Sequence, residues 1–482
     1  MAGARRPPGD HAGGPGARPQ PLPPGLFADA TDATPTGPPP VALRAGELTA
    51  GPLRPAILRL ALPAVGTTLL QVLFNVTDTF WVGRTLGPAA LAGVSSASYA
   101  LWTIITAGEV VSIGLTAVAS RRHGEGNPAA AARAAGTALG LAALVAVAVA
   151  VVGLAGMPAL FRIMDVPADV ARLGEEFLAI QVLGAFFIYG YFVVDASFRS
   201  AGDTRTPFRL LGVSVLLNLV LDPLMILGLG PFPRMGIYGA ALATVLTRGL
   251  GFVAGIVLLI RRGAIRPALE LPVAGRILSV GAPVMLSSVL FNAIYVILVR
   301  QVRDFGTPAL AALGIGHKVE GMSHMVSVGF ALAAETLVGQ NLGAGRPDRA
   351  RRAGWTTATI ATGATAVFGL AFALFPRPLA GLFTADPATI DAAALYLQAV
   401  AVAQLAVAFE LVLEASLSGA GFTVWPMVWV ALLSAIRVPL VAFIAPRFGL
   451  VGVWWVISLT AIGRGLAMAG LWAWSGWERK RV

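Results

Sequence analysis

From Ala56 to Trp474 the chain alternates long apolar stretches with short clusters of Gly, Pro and Arg. The run from Ala138 to Leu154 contains no polar side chain. A helix on the surface of a soluble protein would show a polar face at about 3.6-residue spacing. Each apolar stretch reaches the ~20 residues that a helix needs to cross a hydrocarbon core of ~30 Å. The pattern predicts helices near 56–82, 89–120, 128–156, 168–199, 207–229 and 236–261. A second set follows near 277–302, 308–341, 347–375, 387–419, 426–446 and 449–475. The fold class expected is an all-α membrane protein of twelve transmembrane helices.

The two sets of six are copies of one plan. Adding 219 to a position in the first half repeatedly lands on the same residue type. Ala90-Leu91-Ala92 falls on Ala309-Leu310-Ala311, and Gly124, Gly126, Pro128 and Arg133 fall on Gly343, Gly345, Pro347 and Arg352. Ala196-Ser197, Ala201-Gly202, Thr204 and Pro207 fall on Ala415-Ser416, Ala420-Gly421, Thr423 and Pro426. Later the shift falls to 216, where Arg248-Gly249 meets Arg464-Gly465. Shared Ala and Gly could match by composition, but Pro, Arg and Thr in register require a repeat. An even number of helices per repeat gives both halves one orientation, with an axis along the membrane normal and a cavity between them. The expected organisation is a tail over 1–50, a six-helix lobe over 51–262, a linker over 263–276 and a second lobe over 277–482.

Charge changes the picture by setting the topology. The net charge is +11, yet only 12% of residues are charged against 56% hydrophobic. Arginines gather in alternate loops: Arg121, Arg122 and Arg133; Arg199, Arg205 and Arg209; Arg261, Arg262, Arg266 and Arg276; Arg346, Arg349, Arg351 and Arg352. The other loops carry one or two each, such as Arg84, Arg162, Arg234 and Arg447. By the positive-inside rule both termini are expected in the cytoplasm, with the chain in a bacterial-type inner membrane. The basic charge then belongs to topology, and no nucleic-acid partner is expected. Positions 1–40 hold eleven Pro and seven Gly without an apolar core, so they read as a disordered tail rather than a signal peptide. With no cysteine, no HExxH, no P-loop and no GxSxG, nothing suggests a hydrolase, an ATPase or a thiol site. No cofactor is expected, and the protein is expected to act as a monomer in the lipid bilayer.

Specialised chemistry should appear where the copies diverge. Helix 1 carries Gln71, Asn75 and Asp78 on one face, helix 5 carries Ser214, Asn218 and Asp222, and helix 6 adds Thr244 and Thr247. The second half offers Ile297 or Leu298 opposite Asp78, and Val438 or Val441 opposite Asp222. An acid inside a membrane helix costs ~2.5–3.5 kcal/mol on insertion scales and normally faces a cavity and a partner. Two carboxylates with amide and hydroxyl oxygens make a hard-cation site suited to Na⁺. They could equally hold H⁺, since close carboxylates do not both ionise cheaply. Pairing of Asp78 and Asp222 with nearby arginines, or capping of a helix end beside Pro223, is the alternative.

These segments resemble the multidrug and toxic compound extrusion (MATE) family. The resemblance lies in Pro63, in Asn75-Val-Thr-Asp78-Thr-Phe-Trp-Val-Gly83, in Gly202-Asp203-Thr204-Arg205-Thr206-Pro207 and in Asn218-Leu-Val-Leu-Asp222-Pro223. Gly239-Ala-Ala-Leu-Ala-Thr244 and Val338-Gly339-Gln340-Asn341-Leu342-Gly343-Ala344-Gly345 extend it over about residues 52–476. It implies a V-shaped pair of six-helix lobes and Na⁺- or H⁺-driven antiport exporting small cationic or amphipathic organic compounds. The family's amino-lobe cation site carries over to Asp78, Asn218, Asp222 and Thr244. Helix 7 here reads Leu286-Ser287-Ser288-Val289-Leu290-Phe291-Asn292, without the Glu of some branches, which favours a DinF-like branch. A flippase for lipid-linked or polyprenyl substrates is the alternative function, though it would want a strongly basic cavity.

Other polar positions have two readings each. Pro63, fifteen residues before Asp78, is a hinge or a static kink. Glu410 and Glu414, one turn apart on helix 10, are a second-lobe contact for cation or substrate, or part of an internal ion pair, with Arg437 as a candidate partner. His317, Glu320 and His324 have metal-compatible spacing but read better as a hydrogen-bonded seam.

Overall fold

The computed structural model describes residues 48–480, and these are helical almost throughout. The first half runs α1 (Leu53–Leu86), α2 (Pro88–Gly124), α3 (Pro128–Ile163), α4 (Ala168–Leu183), α5 (Ala185–Ser200), α6 (Arg205–Leu227) and α7 (Ile237–Arg261). The second runs α8 (Leu271–Arg303), α9 (Thr307–Gly343), α10 (Pro347–Leu374), the short α11 (Pro376–Gly381), α12 (Pro387–Ala401), α13 (Ala403–Gly419), α14 (Val424–Ala435) and α15 (Arg437–Trp474).

Twelve spans follow from these helices once three breaks are read physically. Helices α4 and α5 meet at 49° and form one bent span, and α12 and α13 meet at 56° and form another. The region Val424–Trp474 covers 51 residues. At about 1.5 Å per residue it is far too long for a ~30 Å core. Gly449, at φ 58°, breaks its helical backbone and divides it into two spans. A residue with a side chain is strained at positive φ, so glycine is what allows the chain to reverse there without a loop.

The helices expected near 168–199 and 387–419 are each present as one span with a bend inside it. The breaks fall at Gly184 and Val402, and no proline marks either. A methyl at Gly184 would overlap the side chain of Val245, so the bend accompanies close packing on α7. Helix α8 begins at Leu271, six residues earlier than expected, with Pro272 in its first turn. The segment before it is strapped to α3: Arg266 N donates to the Ala132 carbonyl at 3.0 Å, and Glu270 pairs with Arg133 at 2.9 Å. Of the tail expected over 1–50, only 48–50 lie among the described residues. They are docked, with the Thr49 and Ala50 carbonyls accepting from Arg346 and Arg349.

The arginine-rich segments share one face. Arg121 Nη1 donates to the Lys480 carbonyl at 2.8 Å, Arg351 pairs with Glu478 at 2.6 Å, and Arg262 pairs with Asp203 at 2.9 Å. With Arg346 on Thr49, these links join the start of α1, the ends of α2, α5, α7 and α9, the start of α10 and the C-terminal segment. At this face the halves are pressed together, α2 against α8 and α9, and α1 against α9. Gln340 Nε2 of α9 donates to the Ser200 carbonyl of α5 at 2.7 Å, and both groups are buried.

Candidate cation and substrate site

The polar positions of the first half meet where α1, α6 and α7 pack. Asn218 and Asp222 stand one turn apart on α6, both fully buried, and Asn218 Nδ2 donates to Asp222 Oδ1 at 2.9 Å. Thr244 Oγ1 of α7 reaches Asp78 Oδ1 of α1 at 3.5 Å, the outer limit of a hydrogen bond. The two carboxylates lie close enough for their charges to act on each other. Asp222 Oδ2 and Asn218 Oδ1 are enclosed without a hydrogen-bond donor.

Neither alternative partner is found. No arginine or lysine nitrogen lies within 4.0 Å of either aspartate among the described residues. Asp222 sits inside α6 rather than at its end. A buried acceptor left unpaired costs about 1–3 kcal/mol, and more when charged. The arrangement therefore favours a proton or a small hard cation among its oxygens.

A small cavity of about 50 Å³ opens beside this pair, lined by Gln71, Phe74, Asn75, Asp78, Gln181, Thr244 and Arg248 among others. The polar stripe of α1 thus lines the cavity. Asp222 and Asn218 do not line it, so a molecule in the cavity meets Asp78 first. Ser214 and Thr247 serve packing instead, with Ser214 Oγ donating to the Thr247 carbonyl at 3.0 Å.

Two polar lining residues escaped the sequence reading: Gln181, buried with Nε2 unpartnered, and Arg248, 5% exposed. Arg248 was visible as a repeat match with Arg464, and a charge inside a span was its signal. The rule that flags membrane acids as functional applies equally to arginine.

Pro63 stands inside α1, which runs unbroken through it, and the Pro63 carbonyl accepts from Thr67 Oγ1 at 3.0 Å. In the second half Glu410 pairs with Arg464 at 2.6 Å, not with Arg437. Arg437 instead donates through Nε to Thr460 Oγ1 at 2.9 Å. Glu414 lies half-buried one turn beyond Glu410. The α9 stripe forms a seam: His317 Nε2 meets Tyr295 Oη at 2.8 Å, and Glu320 accepts from Tyr396 at 2.5 Å and from Gln404 at 2.8 Å. Among the described residues no group of three or more His, Cys, Asp or Glu is placed to hold a metal ion.

Comparison with known proteins agrees with this architecture. The MatE family model matches residues 63–224 and 283–443, one segment in each half. A protein named probable multidrug resistance protein NorM, from Thermotoga maritima, is 29% identical over 447 residues, covering 89% of this chain and 94% of that protein. A FAD transporter from Shewanella oneidensis is 26% identical, over 73% of this chain and 78% of that one. Among solved structures, a MOP superfamily transporter from Pyrococcus furiosus superposes with a TM-score of 0.83 at 22% identity, covering 91% of this chain and 99% of that chain. A MATE crystal structure in the straight conformation gives 0.82 at 24% identity, with the same two coverages. The chain belongs to the MatE family of membrane transporters.

Proposed function

We propose that this protein exports small cationic or amphipathic organic compounds from the cytoplasm in exchange for H⁺ or Na⁺, as a monomer in the cytoplasmic membrane. Its arginine-rich face and both termini lie in the cytoplasm. Asp78, Asn218, Asp222 and Thr244 hold the coupling cation, with Pro63 as the bending point of α1. The observation that carries this reading is a pair of carboxylates without a cationic partner among the described residues, Asp78 at the wall of a small cavity and Asp222 fully buried with one oxygen undonated. A cationic substrate at Asp78 and a cation shared with Asp222 compete for one charge, which is the requirement for exchange. Names given to relatives, multidrug resistance proteins among them, support export of organic compounds. Glu410 is tied to Arg464, so a second-lobe contact falls to Glu414.

The test is efflux of a cationic dye from proteoliposomes with Na⁺ and H⁺ gradients imposed separately, for wild type, Asp78→Asn and Asp222→Asn. One gradient should drive the wild type and neither should drive the variants. Wild-type rates with unchanged ion dependence in both variants would show the carboxylates to be structural.

A further inference from the structure

Each half starts its first helix from a segment seated on the other half. Before α1, Leu48 is 4% exposed and joins the apolar core that α9, α10 and α13 build in the second half. Its carbonyl accepts from the buried Asn341 Nδ2 at 3.3 Å and from Arg349 Nη2 at 3.4 Å. The Thr49 carbonyl accepts from Arg346 Nη1 at 2.6 Å, and that of Ala50 accepts from Arg349. Before α8, the segment from Arg266 to Glu270 lies on α3 of the first half. There Arg266 N donates to the Ala132 carbonyl at 3.0 Å, and Glu270 N donates to Thr137 Oγ1 at 3.2 Å. The Glu270 carboxylate pairs with Arg133 at 2.9 Å. A methyl at Gly136 would overlap the Arg266 carbonyl, so the two main chains touch.

The two seats occupy matching places in the repeat. At the start of each half the shift is 220: Pro52, Ile57-Leu58 and Pro63 fall on Pro272, Ile277-Leu278 and Pro283. Leu48–Ala50 therefore falls on 268–270, and Pro128 of the receiving α3 falls on Pro347 of the receiving α10. The chemistry is not repeated. Ala50 falls on Glu270, and Arg349 falls, at the shift of 219, on Ala130. One segment is held by guanidinium donors on its carbonyls and by a buried leucine. The other is held by an ion pair whose side chains are 45% and 41% exposed, and by main-chain bonds. Different contacts at equivalent places keep one arrangement, which points to a role for the seating itself.

Both segments lie on the arginine-rich face, where α1 packs on α9 and α8 packs on α2. Separating the halves at this face pulls the start of α1 from α10 and the start of α8 from α3. Contacts made only while the face is closed bias the equilibrium toward that state by their own free energy. We propose that the segments before α1 and α8 are paired latches, and that the arginine-rich face opens only when both leave their seats. Neither latch involves Asp78 or Asp222, so the device is separate from the coupling site.

The test uses the full chain in detergent, which has no thiol of its own. Ser120 of α2 is fully buried against Gly339 of α9, so the labelling rate of Ser120→Cys by a water-soluble thiol reagent reads the open fraction. Arg349→Gln should accelerate labelling about tenfold, the scale of hydrogen bonds from a charged donor. Arg133→Gln should accelerate it about threefold, the scale of an exposed ion pair. The two together should give about thirtyfold, because separate contacts add in free energy. Leu48→Ala leaves every arginine in place and should accelerate labelling as well. Exchanging the charges, Arg133→Glu with Glu270→Arg, should return the rate to near that of the wild type. Thiols placed instead at Ala142 of α3 and Thr365 of α10, buried inside the separate halves, should label at unchanged rates. Acceleration at these two positions equal to that at Ser120 would mean general loosening and overturn the proposal. Unchanged labelling of Ser120→Cys in Arg349→Gln, Arg133→Gln and Leu48→Ala would overturn it too, because the halves would then part with both segments seated.

Discussion

Gly343 of α9 lies against the main-chain carbonyl of Arg121, and Gly124 of α2 lies against that of Gln340. The repeat shift of 219 exchanges these positions: Arg121 matches Gln340 and Gly124 matches Gly343. The two crossing helices therefore make the same contact twice about a pseudo-twofold axis. The halves approach closely here, since a methyl at either glycine would overlap backbone rather than a movable side chain.

Gly343→Ala should drive α2 and α9 apart at this face. Overpacking of this kind costs about 1–3 kcal/mol, and the cost applies only while the face is closed. The chain has no cysteine, so a single thiol placed at the buried Ser120 reports the opening. Its labelling should accelerate about tenfold in the alanine variant, from a shift of about 1.4 kcal/mol within that range. Unchanged labelling would mean that the halves absorb the methyl without separating.

Deeper on the same side, one guanidinium serves acids from both halves. Arg199 of α5 bonds Asp195 at 2.7 Å and faces Glu335 of α9 at 3.8 Å, with Ser112 of α2 at 3.4 Å. Glu109 of α2 also acts on it. Arg199→Gln would leave these acids clustered without a cation, and breaking a buried ion network costs about 3–5 kcal/mol. Its melting temperature in detergent should fall well below that of Glu335→Gln, which keeps the Arg199–Asp195 pair. Equal melting of the two variants would remove Arg199 from the centre of the network.

The spans, the repeat and the polar face of α1 were legible because each is a pattern of many residues. Long apolar runs have one physical solution in a bilayer, and Pro, Arg and Thr in register leave little room for coincidence. The bends were hidden because tertiary packing sets them: nothing local at Val402 forbids a helix, and Gly184 alone does not demand a break. The partner of Glu410 was misjudged for a similar reason. Arg437 and Arg464 both belong to the last helical stretch, and only packing decides that Arg437 turns to Thr460 and Arg464 to the acid. Arg248 was legible in principle, as a charge in a span, but its place in the cavity wall becomes visible only when α1, α5 and α7 are assembled.

Asp203 gives a prediction in pH. Burial alone would raise its pKa, but hydrogen bonds from the Thr206 hydroxyl and amide, and from Arg262, outweigh this and hold it below the usual carboxylate value. The Thr206 amide belongs to the first turn of α6, so Asp203 caps that helix while tying it to the end of α7. A carboxyl whose folded value is depressed contributes stability above its unfolded pKa of about 3.9 and loses it as pH falls through the folded value. Asp203→Asn should lower stability by up to about 1 kcal/mol at neutral pH, because it removes a charge that faces a helix N-terminus and the partly exposed Arg262. The gap between wild type and variant, measured by thermal melting, should close as the pH drops below about 4. A gap that persists in acid would show that the charge of Asp203 contributes nothing.

The Glu410–Arg464 pair allows the sharpest separation of structure from coupling. Both side chains are almost fully enclosed, at 6% and 7% exposure, and their heavy atoms meet at 2.6 Å. Glu410→Gln would leave Arg464 buried beside a neutral amide, with the half-buried Glu414 one turn away as the remaining acid on that stretch of α13. Removing one partner of such a pair costs about 3–5 kcal/mol, whereas replacing both with apolar residues of similar size is often neutral or stabilising. Glu410→Gln should therefore melt at a clearly lower temperature, and Glu410→Met combined with Arg464→Met should recover most of the loss. If the pair is structural, surviving Glu410→Gln protein in proteoliposomes keeps the ion dependence of the wild type, even where its quantity falls. A variant that melts like the wild type but no longer responds to the cation gradient would reverse the assignment. It would make the second half the coupling lobe and leave Asp78 and Asp222 to bind substrate alone.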